Sequence, residues 1–194
     1  MMSSVAAKDY ERKARSMGDH ELRDLWLKIQ GGKTGAAGWA AGKALEYFVL
    51  RAFQLDGAKI RWPYEVRLDG ETVEQIDGVI HQGPISVVVE TKDQQDPANV
   101  EPLAKLRSQL LRRPAGTIGM VVSKSGFTSP ARTLAGFMAP TTILLWEGAE
   151  IDLALESKQP QPFRRGLDWK YRLAVEEGAA FSDLSSFLNE ARAS

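Results

Sequence analysis

The chain has 194 residues, 43% of them apolar and 26% charged, a balance that fits one globular domain and excludes a disordered, collagen-like or coiled-coil chain. Lysine plus arginine and aspartate plus glutamate both number 25, so the molecule as a whole is not a basic glove for nucleic acid. Cysteine is absent, which rules out disulfides, thiolate zinc sites and cysteine nucleophiles.

From residue 5 to 30 the composition is helix-rich, with a break at Met17-Gly18-Asp19 where Asp19 can cap a second helix bearing Leu22, Leu25 and Trp26 on one face. Gly31-Gly32 ends this helical N-terminal arm, taken as residues 1–36. A long helix is expected over 37–54, with Ala41, Leu45, Phe48, Val49 and Phe53 as its apolar stripe and Glu46 inside it. After Asp56-Gly57 the texture turns to β. Strands are expected over 60–68, 72–81 and 85–92, joined by turns at Asp69-Gly70 and Gln82-Gly83-Pro84. The near-continuous apolar run Ile85-Ser86-Val87-Val88-Val89 reads as a central strand buried on both faces. A helix over 100–113, a strand over 117–123, a helix over 129–138 and a strand over 141–146 complete a core of residues 37–146. Residues 147–194 read as a helical extension packed on that core. The order defines an α/β fold with a mixed central sheet flanked by helices.

No apolar run reaches bilayer length, and Asp9 and Glu11 stand where a signal peptide needs an apolar core. A cytoplasmic protein without membrane contact is therefore expected. The charges are unevenly spread: residues 56–96 carry nine acidic and four basic side chains, and 97–146 carry one acidic and six basic. Such a pattern suits a cluster of carboxylates for a cation beside a surface for phosphates, although solvated faces produce similar runs.

Most local motifs fail. Gly32-Lys33-Thr34 resembles the end of a phosphate-binding loop, but Leu27 stands where the pattern needs glycine and no strand precedes it. His20 and His81 have no partners at metal-ligand spacing, and no serine sits in a nucleophile elbow. The surviving constellation is Asp77, Glu90 and Lys92. A turn centred on Gly83-Pro84 pairs positions that sum to 167, which sets Asp77 across from Glu90, while alternation puts Lys92 on the Glu90 face and Thr91 on the other. Two facing carboxylates persist only with a cation between them or with one protonated. Magnesium suits such hard oxygen ligands, and the ammonium of Lys92 can orient a nucleophilic water or stabilise charge on a phosphate. A neutralised strand end accounts for the same three charges. Glu46 can equally be a surface carboxylate paired with Lys43 or Arg51.

These residues resemble the PD-(D/E)XK nuclease superfamily, the restriction-endonuclease-like fold, and within it the Mrr-type branch. The pieces come in that family's order: Glu46 in a helix before the sheet, Gln75-Ile76-Asp77-Gly78, Val88-Val89-Glu90-Thr91-Lys92, then a helix and Val121-Val122-Ser123-Lys124-Ser125-Gly126-Phe127-Thr128-Ser129-Pro130-Ala131. Two positions depart from it: Mrr-like proteins tend to have glycine where Gln75 stands and glutamine where Glu90 stands. The resemblance implies that Asp77, Glu90 and Glu46 bind magnesium, with manganese able to substitute, and that Lys92 serves the attacking water. It implies that Gln75 contacts metal-bound water or the substrate backbone. Lys105, Arg107, Arg112 and Arg113 on the following helix can meet phosphates, although a solvated helix face predicts the same charges, and amides of the turn carrying Ser125 and Thr128 can hold a phosphate. The implied activity is a magnesium-dependent DNA endonuclease of restriction or defence type, with DNA as partner and self-association left open. A nucleic-acid-binding or assembly subunit that keeps the fold without cleaving is the rival reading. A sugar hydrolase built on the carboxylate pair leaves Lys92 unexplained. The mixed aromatic and basic stretch from Phe163 to Arg172 reads either as a nucleic-acid surface or as an amphipathic packing helix.

Overall fold

The computed structural model describes residues 4–138, 141–185 and 187, so the end of the C-terminal extension lies outside the described residues. The chain opens with α1 (Ser4–Arg15) and α2 (Asp19–Gln30), passes through a single 3-10 turn at Gly35–Ala37, and enters α3 (Lys43–Leu55). The expected helix over 37–54 thus starts six residues late. Gly38 and Gly42 both adopt left-handed backbone, with φ of 75° and 77°, which interrupts helical propagation before Lys43. As a result Glu46 lies in the first turn of α3, where the helix dipole favours a carboxylate.

The strands follow as β1 (Lys59–Arg61), β2 (Tyr64–Leu68), β3 (Glu71–Ile76), β4 (Gly78–Gln82) and β5 (Ile85–Lys92). Two of the strands expected as single units are broken. Pro63, without an N–H to donate, separates β1 from β2, and the chain leaves the sheet at Asp77 between β3 and β4. β2 and β3 consequently form their own two-stranded ribbon, turned at Asp69-Gly70 with φ of 50° and 83°. The main sheet has the order β1-β4-β5-β6-β7, where β6 is Thr117–Ser123 and β7 is Ile143–Glu147. β1, β4 and β5 are antiparallel, and β5, β6 and β7 are parallel. The parallel crossovers run through α4 (Glu101–Leu110) and α5 (Ser129–Gly136), and α6 (Gly148–Glu156) and α7 (Pro162–Glu177) close the described core.

Each face of the sheet has its own apolar layer. Val87 and Val89 of β5 join the layer under α3, together with Phe48, Phe53 and Trp146. Val88 joins the opposite layer with Leu103 and Leu106 of α4. A strand covered on both faces must be apolar on both, which explains the unbroken run in β5. α3 is buried around nearly its whole circumference, because α1 and α2 cover the side turned away from the sheet; Ala14, Leu22, Leu25 and Trp26 share its layer. The C-terminal helices are tied down by polar contacts. Asp56 accepts hydrogen bonds from the amides of Phe163 and Arg164, at 2.7 and 3.1 Å, at the start of α7. Lys170 and Glu150, 1% and 3% exposed, form a buried ion pair at 2.6 Å. The aromatic and basic stretch of α7 therefore places Phe163 and Lys170 inside the core. Among the described residues no helix is long and apolar enough to cross a membrane.

At Gly78 α3 lies close on the sheet: a Cβ there would lie 2.6 Å from both methyl groups of fully buried Leu50. Gly78→Ala should therefore cost about 1–3 kcal/mol through overpacking. Gly35→Ala, which meets nothing within 4 Å, should melt like the parent. Thermal melting of both variants, followed by circular dichroism, tests the close approach, and equal melting temperatures would refute it.

Candidate active site

The β4–β5 register pairs Gly78 with Val89, so the next step along both strands sets Asp77 against Glu90. Asp77 sits at the point where the chain bends from the ribbon into the sheet. Its Oδ2 accepts hydrogen bonds from the Thr91 amide at 2.7 Å and the Thr91 hydroxyl at 3.0 Å. Burial and then the charge of Glu90 push the Asp77 carboxyl above the ordinary aspartate range, outweighing both bonds from Thr91.

Glu90, at the C-terminal end of β5, is only 2% exposed. Its Oε1 lies 3.1 Å from Nζ of Lys92, and its Oε2 lies 2.6 Å from Nζ of Lys105 on α4. Burial works to lower the Lys105 pKa, but the hydrogen bond and charge of Glu90, reinforced by Asp77 and Glu46, hold it above its usual value. Glu46 reaches the same cluster from α3 and is 7% exposed. Both of its oxygens accept from Lys43 Nζ at 2.7 Å. Burial and then the Asp77 charge push its pKa up to about 7, with Glu90 adding to the rise and Lys43 opposing it. The surface alternative for Glu46 thus holds in part: Lys43 is its partner, yet the pair is sunk beside Asp77 and Glu90.

The loop leaving β5 is fastened to the loop leaving β6. Lys124 and Asp93 form a largely buried ion pair at 2.7 Å, and the Lys124 amide donates to the Lys92 carbonyl at 3.1 Å. Ser125 Oγ donates to the Gln94 carbonyl at 2.5 Å, and Thr128 Oγ1 caps α5 by accepting from the Ala131 amide at 3.4 Å. Both hydroxyls are therefore engaged within this junction. Gln75 is exposed on β3, with its carbonyl accepting from Gln109. Arg107 is exposed on α4. Arg112 and Arg113 both grip the carboxylate of Glu74 on the ribbon, so their charges are engaged within the chain itself. His20 lies 3.5 Å from Asp24, and His81 bonds Ser86, each away from the cluster.

Two contributions escaped the sequence reading. Thr91 alternates away from Glu90, yet its amide and hydroxyl both hold Asp77 because the chain bends there. Lys105 was one of several basic residues on a helix, and its spacing carries no mark of Glu90, fifteen residues earlier. Among the described residues no three His, Cys, Asp or Glu side chains are drawn together as a ready metal cage. Glu46 and Glu90 are bonded to ammonium groups instead, and Asp77 to Thr91.

A mixed sheet covered by helices, with carboxylates and a lysine gathered where its central strand ends, defines an α/β protein of the restriction-endonuclease-like class. Residues 40–154 match the family of Mrr catalytic domains described as restriction endonuclease, and the chain belongs to that family of nucleases. Among solved structures, a protein of unknown function, AF1548, is similar over 68% of this chain and 77% of its own, at 16% identity and a TM-score of 0.46. The MspJI restriction endonuclease in complex with a 27-mer oligonucleotide is similar over 84% of this chain but 36% of its own, at 22% identity and a TM-score of 0.41. No curated protein matches the chain.

A carboxyl whose folded pKa is raised binds protons more tightly in the folded state. Its contribution to stability is full below the ordinary value of 4.5 and is lost as pH rises through about 7. Without metal, Glu46→Gln should match the parent at pH 4.5 and exceed its stability at pH 8 by on the order of 2 kcal/mol. Denaturant titrations at the two pH values check this, and a variant less stable at pH 8 would show that the Lys43 pair outweighs the repulsion.

Proposed function

We propose that the protein is a magnesium-dependent endonuclease that hydrolyses DNA phosphodiester bonds, of restriction or defence type. The observation that carries the reading is the convergence of Asp77, Glu90 and Glu46, with Lys92 bonded to Glu90, at the end of a strand buried on both faces. The donor set fits magnesium: hard carboxylate oxygens, few enough that several water ligands remain. Burial and then mutual repulsion raise the Glu46 and Asp77 pKa values, and a bound dication would relieve the repulsion. Asp77 and Glu90 would hold the ion, with Glu46 beside them. When bound, magnesium supplies Lewis acidity toward the phosphate and a lowered pKa for water.

The chain's own groups do the rest. Thr91 fixes the Asp77 carboxylate, so that its free oxygen keeps one direction. Lys92 donates a hydrogen bond to the attacking water and places positive charge where the phosphate gains negative charge. Water oxygen bonds to phosphorus as a deoxyribose oxygen departs, and the water proton ends on solvent or on the leaving oxygen. Arg107 and Gln75, both exposed, together with the turn of Ser125 and Thr128, would meet the DNA backbone.

Supercoiled plasmid should be nicked or linearised with magnesium or manganese and remain intact in excess chelator. Calcium should support little turnover, because it binds carboxylates with looser geometry. Cleavage that persists undiminished in chelator would overturn the reading. Lys92→Ala should lower the single-turnover rate by at least about a hundredfold while duplex affinity stays within a few fold, since one ammonium is a small part of a many-phosphate surface. A variant that cuts at the parental rate would return Lys92 to the role of a neutralising charge.

A further inference from the structure

Among the described residues, Lys105 is the α4 cation whose ammonium reaches the carboxylate cluster. Its side chain is 43% exposed along its length, yet Nζ ends 2.6 Å from an oxygen of a glutamate that is almost fully buried. Arg112 and Arg113, further along the chain, turn to Glu74 instead. Glu90 is therefore engaged at both oxygens, by Lys92 at Oε1 and by Lys105 at Oε2. With Lys43 on Glu46, the three carboxylates Glu46, Asp77 and Glu90 face the three ammonium groups Lys43, Lys92 and Lys105. Ammonium groups are thus as numerous as carboxylates in the metal-free cluster.

A dication added to such a cluster leaves at least two positive charges in excess. An ammonium and a dication on one carboxylate repel each other strongly in a half-buried site, so one of the lysines must yield. Lys92 is carried by the sheet, and its carbonyl accepts from the Lys124 amide of the next loop. Lys105 projects from a helix flank on a long flexible stem with solvent beside it, and it is the group free to swing out. The excess charge then matches the phosphodiester groups of a nucleic-acid backbone.

We propose that Lys105 is a resident counter-cation: it holds Glu90 while the site is metal-free, is displaced by the incoming divalent ion, and then pairs with a substrate phosphate. The inference rests on the magnesium-dependent reading above.

Manganese binding to the full chain without DNA, followed by electron paramagnetic resonance of the free ion, tests the displacement with no cleavage involved. Lys105→Met keeps the stem and removes the competing charge, so manganese should bind at least roughly tenfold more tightly. Lys105→Arg, which keeps the charge, should stay within about threefold of the parent. With calcium present, Lys105→Met should weaken binding to a short duplex several fold and lower the salt slope by about one. Manganese affinity that is unchanged or weaker in a folded Lys105→Met protein, with parental binding intact, overturns the proposal. An unchanged duplex affinity and salt slope overturns its second step. If the parent shows no saturable manganese binding, or binding indifferent to Glu90→Gln, the metal reading falls and the proposal falls with it.

Discussion

Three carboxylates gathered at the end of a buried strand cannot all keep their charge without partners, and the architecture around them answers that constraint. Each is supplied with donors from a different direction. Glu46 has Lys43 on its own helix, Asp77 has the amide and hydroxyl of Thr91, and Glu90 has Lys92 and Lys105. The arrangement remains costly, because burial and mutual repulsion still drive the Glu46 and Asp77 pKa values upward. A site that only had to be stable would use fewer charges. The proposed exchange of resident cations for a divalent ion would account for the surplus.

The two faces of the sheet deliver different parts of this cluster. On one face α3 brings Glu46 and Lys43, and it can do so only because Gly78 offers no side chain to Leu50. On the other face α4 brings Lys105, and Gly119 plays the corresponding part: a Cβ there would stand 2.7 Å from Leu106 and 2.9 Å from Leu110. Both helices approach the sheet at glycines flanking the central strand, so the position of each charged group is set by apolar packing. Changes in either interface would be felt at the carboxylates.

α4 and the turn that follows it also fasten the β2–β3 ribbon. Arg112 and Arg113 hold Glu74, and Gln109 donates to the Gln75 carbonyl at 3.1 Å. Since β3 ends at Ile76, immediately before Asp77, this clamp fixes the direction from which the chain enters the site. The bend at Asp77 that turns the ribbon out of the sheet is the same bend that brings its carboxylate onto Thr91. Ribbon, helix and carboxylate are thus one mechanical unit.

The order of elements outside the two broken strands, the β4–β5 register and the facing of Asp77 and Glu90 were determined by the sequence itself, because they rest on short-range rules. Alternation along β5, the Gln82-Gly83-Pro84 turn and the two-residue spacing of Glu90 and Lys92 each lie within one strand or one hairpin, where geometry follows from neighbours. Tertiary structure decided what those rules do not reach. It set the break at Asp77, the late start of α3, the engagement of Arg112 and Arg113 by Glu74, and the placement of Lys105 on Glu90. Each of these depends on groups from separate elements meeting over a packed core, and a helical stripe tells which side of a helix faces inward without telling which charge waits there. The same limit explains the C-terminal helix. Its mixture of aromatic and basic residues is identical on paper for a nucleic-acid surface and a packing face, and only the burial of Lys170 against Glu150 distinguishes them.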